Sequence, residues 1–183
     1  MTDLGLPEGF GYPRLMPDDT SGMLVVWLRQ VVEPHHGGYW YRRFDERQYH
    51  LLCGYPVSDL NYRDAVLTGA EGLLAVNVWA TAHLPDATCE EVAVGWDWHG
   101  LALFDLTTGK EVRLIDALSS HEETVRMWIS EVLRGSDTGD VVVASVAFEY
   151  AKENGSFVLY RLCEVSLETG ACHVLTDLPA VFA

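Results

Sequence analysis

The sequence has few basic residues and no long apolar run. Only 12 lysines and arginines stand against 27 aspartates and glutamates, so the formal net charge at pH 7 is −15. A surface of this sign repels phosphate backbones, which predicts a protein that does not bind nucleic acid. No apolar stretch reaches the roughly 18 residues of a membrane span. Residues 1–5 also lack the basic and apolar regions of a signal peptide. These absences predict a cytoplasmic protein without a membrane partner.

Cysteine pairs and enzyme motifs are missing as well. The four cysteines form no C-x-x-C pair and lack metal-ligand spacing, so we expect buried or half-buried thiols rather than disulfides or zinc ligands; they are Cys53, Cys89, Cys163 and Cys172. The His-Glu pair at His121 is followed by Val125, where a zinc-protease motif requires a second histidine. No G-x-S-x-G nucleophile elbow occurs. The sequence therefore predicts no catalytic residue, no metal site and no cofactor.

The chain does contain enough apolar residues for a folded core. Apolar residues make up 49% of the 183 positions and include six tryptophans, which excludes a disordered chain. This length suits a single domain over residues 1–183. Acidic residues concentrate towards the C-terminal part, because residues 72–183 carry seventeen of them against six basic residues. A field of this sign attracts a basic protein.

One short phrase occurs twice. Leu106-Thr107-Thr108-Gly109 and Leu167-Glu168-Thr169-Gly170 stand 61 positions apart. Glycine readily adopts the positive φ angle of a tight hairpin. Each copy therefore predicts a turn between two antiparallel strands.

Around these turns the chain repeats a common plan. Each of three units opens with a glycine and a short apolar run rich in β-branched residues, which favours a strand; the runs are 22–28, 72–79 and 139–146. A polar turn and a second strand follow, at 39–45, 100–106 and 157–167, and third strands are predicted at 111–115 and 172–176. We therefore predict a mainly β (α+β) fold with three antiparallel β-β-β units, at about 22–71, 72–139 and 140–183.

Two helices are predicted between these units. Ser120 and Glu123 have the spacing of a capping box, and apolar residues follow at helical spacing; these are Val125, Trp128, Ile129, Val132 and Leu133. This pattern predicts a helix over about 121–134. A weaker pattern predicts a second helix over about 58–67.

The strand, Thr-Gly turn and strand around Asp105–Gly109 and Val158–Thr176 resemble a blade of a TolB or WD-like β-propeller. The resemblance covers about a third of the chain. It implies a propeller-like arrangement, but propellers use about 4–8 four-stranded blades, so three units would need an open or dimer-completed ring. The alternative is an α+β fold in which the Thr-Gly turns are ordinary hairpins.

Two aromatic clusters are the candidate binding residues. The first, Tyr39, Trp40 and Tyr41, follows a loop that contains Glu33, His35 and His36. The second consists of Trp96, Asp97, Trp98 and His99, in which Asp97 and His99 share one face of an extended strand. Exposed aromatic residues are enriched at binding hot spots.

We expect a non-catalytic protein-binding module that presents an acidic, aromatic-bearing surface to a basic protein partner. One version is an immunity-like protein that caps a basic toxin or nuclease. Two alternatives stay open. The first is a small hydrolase-like enzyme that uses Asp97 with His99, or Glu33 with a neighbouring histidine. The second is a structural homo-oligomer joined through the uncovered edge of the last strand.

Overall fold

In a computed structural model of the chain, residues 6–15, 23–31, 37–54, 61–69, 72–81, 97–115 and 117–179 are described. These ranges contain twelve β-strands and no helix, so no helix in them could cross a bilayer. The strands are β1 Phe10–Leu15, β2 Met23–Gln30, β3 Gly37–Arg43, β4 His50–Gly54, β5 Asn61–Thr68, β6 Leu73–Thr81, β7 Asp97–Asp105, β8 Lys110–Ile115, β9 Arg126–Gly135, β10 Val141–Lys152, β11 Gly155–Ser166 and β12 Cys172–Asp177.

The strands form three four-stranded antiparallel sheets, and each sheet keeps the order of the chain. Sheet 1 contains β1–β4, sheet 2 contains β5–β8 and sheet 3 contains β9–β12. The predictions of a mainly β fold and of antiparallel pairing are confirmed. The predicted number of strands per unit was wrong, since each sheet has four strands instead of three.

Sheet 2 lies between the other two sheets. Along β6, Leu74, Val76 and Val78 pack with residues of sheet 1, while Ala75 packs with residues of sheet 3. These four side chains are at most 1% exposed. Such a strand is apolar at successive positions because both of its faces are covered.

The predicted helix over 121–134 is not present, and residues 126–135 form β9 instead. In β9, Ser130 and Leu133 are extra residues with no counterpart in β10, which makes each position a β-bulge. The bulges place Ile129 and Val132 on the buried face three residues apart, where a regular strand has a spacing of two. The strand therefore has the apolar spacing of a helix. Ser120 accepts a hydrogen bond from the Glu122 amide in a local turn and caps no helix.

The second predicted helix, over 58–67, is also wrong. Residues 61–68 form β5, and residues 58–60 lie outside the described ranges. A bulge at residues 63–64 interrupts the pairing with β6. Each of the two segments predicted as a helix thus contains the first strand of a sheet: β5 begins sheet 2, and β9 begins sheet 3.

The two Thr-Gly turns are confirmed as hairpins. Gly109 has φ +66° between β7 and β8, and Gly170 has φ +71° between β11 and β12.

The expectation for the cysteines is confirmed for Cys53, Cys163 and Cys172, which are free and buried. Burial raises the pKa of Cys163 to about 11 and that of Cys172 to about 12. Cys89 lies outside the described residues.

Candidate functional site

The longest hairpin within the described ranges extends beyond the strands beside it. Strands β10 and β11 pair from Val141 with Ser166 to Lys152 with Gly155. On one side, β9 pairs with β10 only as far as Glu149, and on the other β12 pairs with β11 only as far as Arg161. The end of the hairpin is therefore a two-stranded ribbon.

This ribbon carries an exposed apolar patch, which we call the hairpin patch and which consists of Tyr150, Phe157, Val158 and Leu159. Phe157, Val158 and Leu159 are 42%, 37% and 41% exposed. The Tyr150 ring stacks on the Phe157 ring, with a centroid distance of 5.3 Å and an interplanar angle of 19°. Tyr150, Phe157 and Leu159 share one face, because Tyr150 pairs with Phe157, and Leu159 pairs with Phe148.

Two carboxylates border this face of the patch, and Arg161 holds both of them. Arg161 Nε donates to Asp177 Oδ1 at 2.8 Å, and its Nη1 donates to Glu122 Oε1. The same Nη1 donates to the Tyr150 hydroxyl at 3.0 Å, and that hydroxyl donates to Glu122 Oε2. We call Glu122 and Asp177 the carboxylate rim. Its side chains are exposed, at 41% and 77%, while that of Arg161 is only 14% exposed.

The guanidinium of Arg161 also packs on aromatic rings of β10. Its Cζ atom lies 5.0 Å from the centroid of Phe148 and 5.8 Å from that of Tyr150. Arginine over an aromatic face gains a cation–π interaction in addition to its ion pairs. Arg161 is therefore held both by its ion pairs and by the aromatic rings. Because it binds Glu122 and Asp177, it also holds the carboxylate rim in place.

These contacts change the ionisation of the cluster. The hydrogen bond from Tyr150, followed by that from Arg161, lowers the pKa of Glu122. Burial, followed by the hydrogen bond to Glu122, raises the pKa of Tyr150 to about 12. At neutral pH Glu122 is therefore ionised and the phenol is neutral, which makes Tyr150 a hydrogen-bond donor to the Glu122 carboxylate.

Further acidic residues surround the ribbon. Glu149 accepts a hydrogen bond from the Ser156 hydroxyl, and Glu153 is exposed in the turn at the tip. Lys152, the last residue of β10, is basic. The ribbon therefore combines an apolar surface with a mainly acidic border.

The first predicted cluster, residues 39–41, is not an exposed surface. Tyr39 is 2% exposed and belongs to the core between sheets 1 and 2, where Tyr41 packs beside it. Trp40 points to the other face of sheet 1, and its ring centroid lies 5.1 Å from that of Phe10. The loop with Glu33, His35 and His36 lies outside the described residues. These three aromatic residues stabilise the fold.

The second predicted cluster is described only in part. Trp96 lies outside the described residues, and for Asp97 and Trp98 only the backbone, within β7, is described. His99 is half-buried, and its ring centroid lies 6.1 Å from that of Trp128 in sheet 3. Tyr41 therefore packs against one face of sheet 2, and His99 lies on the opposite face.

Sequence reasoning missed the hairpin patch and its rim. The available signal was the alternation of Phe157 and Leu159 directly after the polar Glu153–Gly155 turn. Alternation alone predicts a strand with one buried face. It does not say that the neighbouring strands end before they cover that face.

A cleft lies between sheets 2 and 3. This cleft of about 390 Å³ has an apolar floor of Leu73, Leu103 and Leu167, with Arg113 at its border. Arg113 Nη1 donates to the Leu167 carbonyl at 3.1 Å, so the guanidinium links sheet 2 to sheet 3 by a hydrogen bond. Among the described residues, no group of three or more histidines, cysteines or carboxylates is placed to hold a metal ion.

Comparison with protein-family models, with curated proteins and with solved structures finds no match to this chain.

Proposed function

We propose that the protein is a non-catalytic protein-binding module that engages a basic partner through the hairpin patch and the carboxylate rim. The observation that carries this proposal is the exposure of Phe157, Val158 and Leu159 next to two carboxylates that Arg161 holds in place. An apolar centre with a polar border is the usual composition of a protein interface.

The apolar part of the patch supplies the affinity. Burial of a Phe or Leu side chain contributes about 1.5–3 kcal/mol when it is complete, and aromatic residues dominate binding hot spots. The Tyr150–Phe157 stack holds both rings in place before a partner arrives. Less side-chain entropy is therefore lost on binding.

The charges supply orientation and selectivity. With a net charge of −15, the protein attracts basic partners over long distances, and the rim offers two carboxylates for lysine or arginine at the point of contact. An immunity-like inhibitor of a basic toxin or nuclease is one such arrangement. Association of this kind weakens as salt screens the charges.

An affinity experiment with matched variants tests the proposal. The tagged protein is incubated with extract of its source cells at low salt, and the retained proteins are identified by mass spectrometry. The test variant is Phe157→Ser/Leu159→Ser, and the control is Val112→Ser/Leu114→Ser, which removes two apolar side chains that are 55% and 43% exposed on β8.

We expect one retained protein with an excess of lysine and arginine, lost in the test variant, kept in the control and released by 0.5 M salt. Equal retention by both variants would contradict the proposal. Light scattering on the purified protein distinguishes the homo-oligomer alternative, for which the mass would be a multiple of that of one chain.

A further inference from the structure

Among the strands that the structure describes, none lies beside one edge of the ribbon. The last pair between β11 and β12 is Arg161 with Asp177, after which the Leu178 amide donates to the Tyr160 carbonyl at 2.9 Å. From there to the tip, residues 155–159 of β11 have a partner strand on the β10 side alone, as far as the described residues go. Open edges of this kind are templates for pairing with another chain.

The direction of the backbone groups follows from that hydrogen bond. In an antiparallel strand, the N–H and C=O of one residue point to the same side, and the side alternates from residue to residue. Since the Tyr160 carbonyl faces β12, the amides and carbonyls of Val158 and Ser156 face the same side, away from β10. The open edge thus offers two donors and two acceptors in strand register.

We propose that this edge binds an extended segment of the partner as an added β-strand, in line with β12 and hydrogen-bonded to Ser156 and Val158. This inference rests on the proposed function and specifies how the partner is bound. Strand addition takes its affinity from main-chain hydrogen bonds and its specificity from alternate side chains.

The side chains around the edge define the chemistry of the segment. Phe157 and Leu159 lie on the face that carries Arg161 and the carboxylate rim. An added strand places alternate side chains beside those residues, so apolar side chains suit the positions next to Phe157 and Leu159. A lysine or arginine suits the end of the strand that reaches Asp177. The segment is therefore extended, apolar at alternate positions and basic.

A second copy of this chain fits the edge less well. Two copies would bring together two chains of net charge −15 and two sets of rim carboxylates. Like charges at close range oppose association. A basic segment neutralises the same groups, which is why we assign the edge to a different protein.

The test uses a synthetic peptide in which lysine alternates with valine, together with a counterpart in which glutamate replaces lysine. Binding is measured by fluorescence anisotropy at low salt, and amide exchange is followed by NMR. The variant Val158→Pro removes the outward N–H and leaves the hydrogen bonds to β10 intact. Its matched control is Val158→Thr, which keeps the N–H and the β-branched shape.

We expect the basic peptide to bind the wild type, and to bind Val158→Pro at least about tenfold more weakly than Val158→Thr, in which the same side chain is changed but the N–H is kept. The bound peptide should slow exchange of the Val158 and Ser156 amides, a measurement on the wild type that does not depend on how the proline variant folds. The acidic peptide should not bind.

Each failure has its own meaning. If Val158→Pro binds as well as the wild type while Phe157→Ser/Leu159→Ser does not, the patch acts through side chains alone, and strand addition is wrong although the proposed function holds. Protection of the Val158 amide without peptide, together with a dimeric mass, would assign the edge to a second copy instead. Absence of peptide binding to the wild type would also overturn the inference, while the experiment on cell extract judges the proposed function separately.

Discussion

Asp105 and Ser166, which stand 61 positions apart, occupy equivalent places in two hairpin turns and make the same hydrogen bonds. Asp105 Oδ1 accepts from the amides of Thr107 and Thr108 at 2.7 and 3.3 Å. Ser166 Oγ accepts from the amides of Glu168 and Thr169, both at 3.2 Å. The repeated Leu-x-Thr-Gly phrase therefore corresponds to a repeated turn. In each turn, the side chain of the residue before the phrase accepts hydrogen bonds from two amides of the turn.

A substitution at Asp105 tests this equivalence. Asp105→Ala should lower the free energy of unfolding by about 0.5–1.5 kcal/mol, because the turn amides lose their acceptor. Asp105→Ser should retain most of the stability, since serine has this function at position 166. Urea denaturation of both variants measures the difference, and equal losses would show that the two side chains are not interchangeable.

The second prediction concerns Gly170. Its φ is +71°, and a Cβ atom there would clash with the carbonyl oxygen of Ala117, whose segment is fixed by the hydrogen bond from the Ser119 amide to the Gly170 carbonyl at 3.1 Å. Gly9 is a matched control, with φ +81° and no atom within 4 Å of the Cβ position.

Gly9→Ala should lower the free energy of unfolding by about 1–2 kcal/mol, which is the strain of a left-handed conformation alone. Gly170→Ala should lower the free energy of unfolding by at least about twice as much. Neither the start of β12 nor the 117–120 segment can move away from the added Cβ atom without breaking the hydrogen bonds between them. Thermal denaturation of the pair isolates the contribution of the clash. If the two losses were equal, the contact with Ala117 would have no energetic importance.

The third prediction uses the raised pKa of Tyr150. A phenol with a pKa near 12 in the folded protein and about 10 in the unfolded chain stabilises the fold in its protonated form. Its contribution is complete below pH 10 and is lost as the pH rises from about 10 to 12. In a spectrophotometric titration of phenolate absorbance, the Tyr150→Phe variant should lack one transition near pH 12. Loss of a transition near pH 10 would contradict the hydrogen-bonded geometry at Glu122.

The fourth prediction concerns the contact between sheets 2 and 3. Asp64 Oδ2 accepts from the Val132 amide at 2.5 Å and from Asn77 Nδ2 at 3.4 Å, and Asn77 is 2% exposed. Asp64→Ala leaves these donors without that acceptor, so a loss of about 1–3 kcal/mol is expected. Asp64→Asn keeps one oxygen acceptor and should lose less. Chemical denaturation compares the two variants, and the opposite order would indicate that the carboxylate is not the bridge.

Strands and turns could be predicted from the sequence because their signals are local. The β-branched runs in β2, β6 and β10, and the glycines at positions 109 and 170, specify extended segments and turns whatever surrounds them. The net charge is likewise a property of composition. The acidic character of the protein and its antiparallel pairing were therefore accessible without coordinates.

The first strands of sheets 2 and 3 could not be predicted, because bulges change the spacing of buried residues. In β9 the extra residues Ser130 and Leu133 produce a helix-like pattern around Ile129 and Val132. Period alone does not distinguish a bulged strand from a helix. Pairing with β10 decides the structure, and pairing is a property of the assembled sheet.

The sequence by itself determined the turns, the strand-forming runs and the excess of negative charge, since each depends on neighbouring residues or on a sum over all residues. Only the tertiary structure decided which apolar side chains are covered. It placed Tyr39 in the core and left Phe157 and Leu159 exposed, because sheets 1 and 2 close over the first while β12 ends before it reaches the others. Exposure depends on where the neighbouring strands end, and that is set by contacts between residues far apart in the chain.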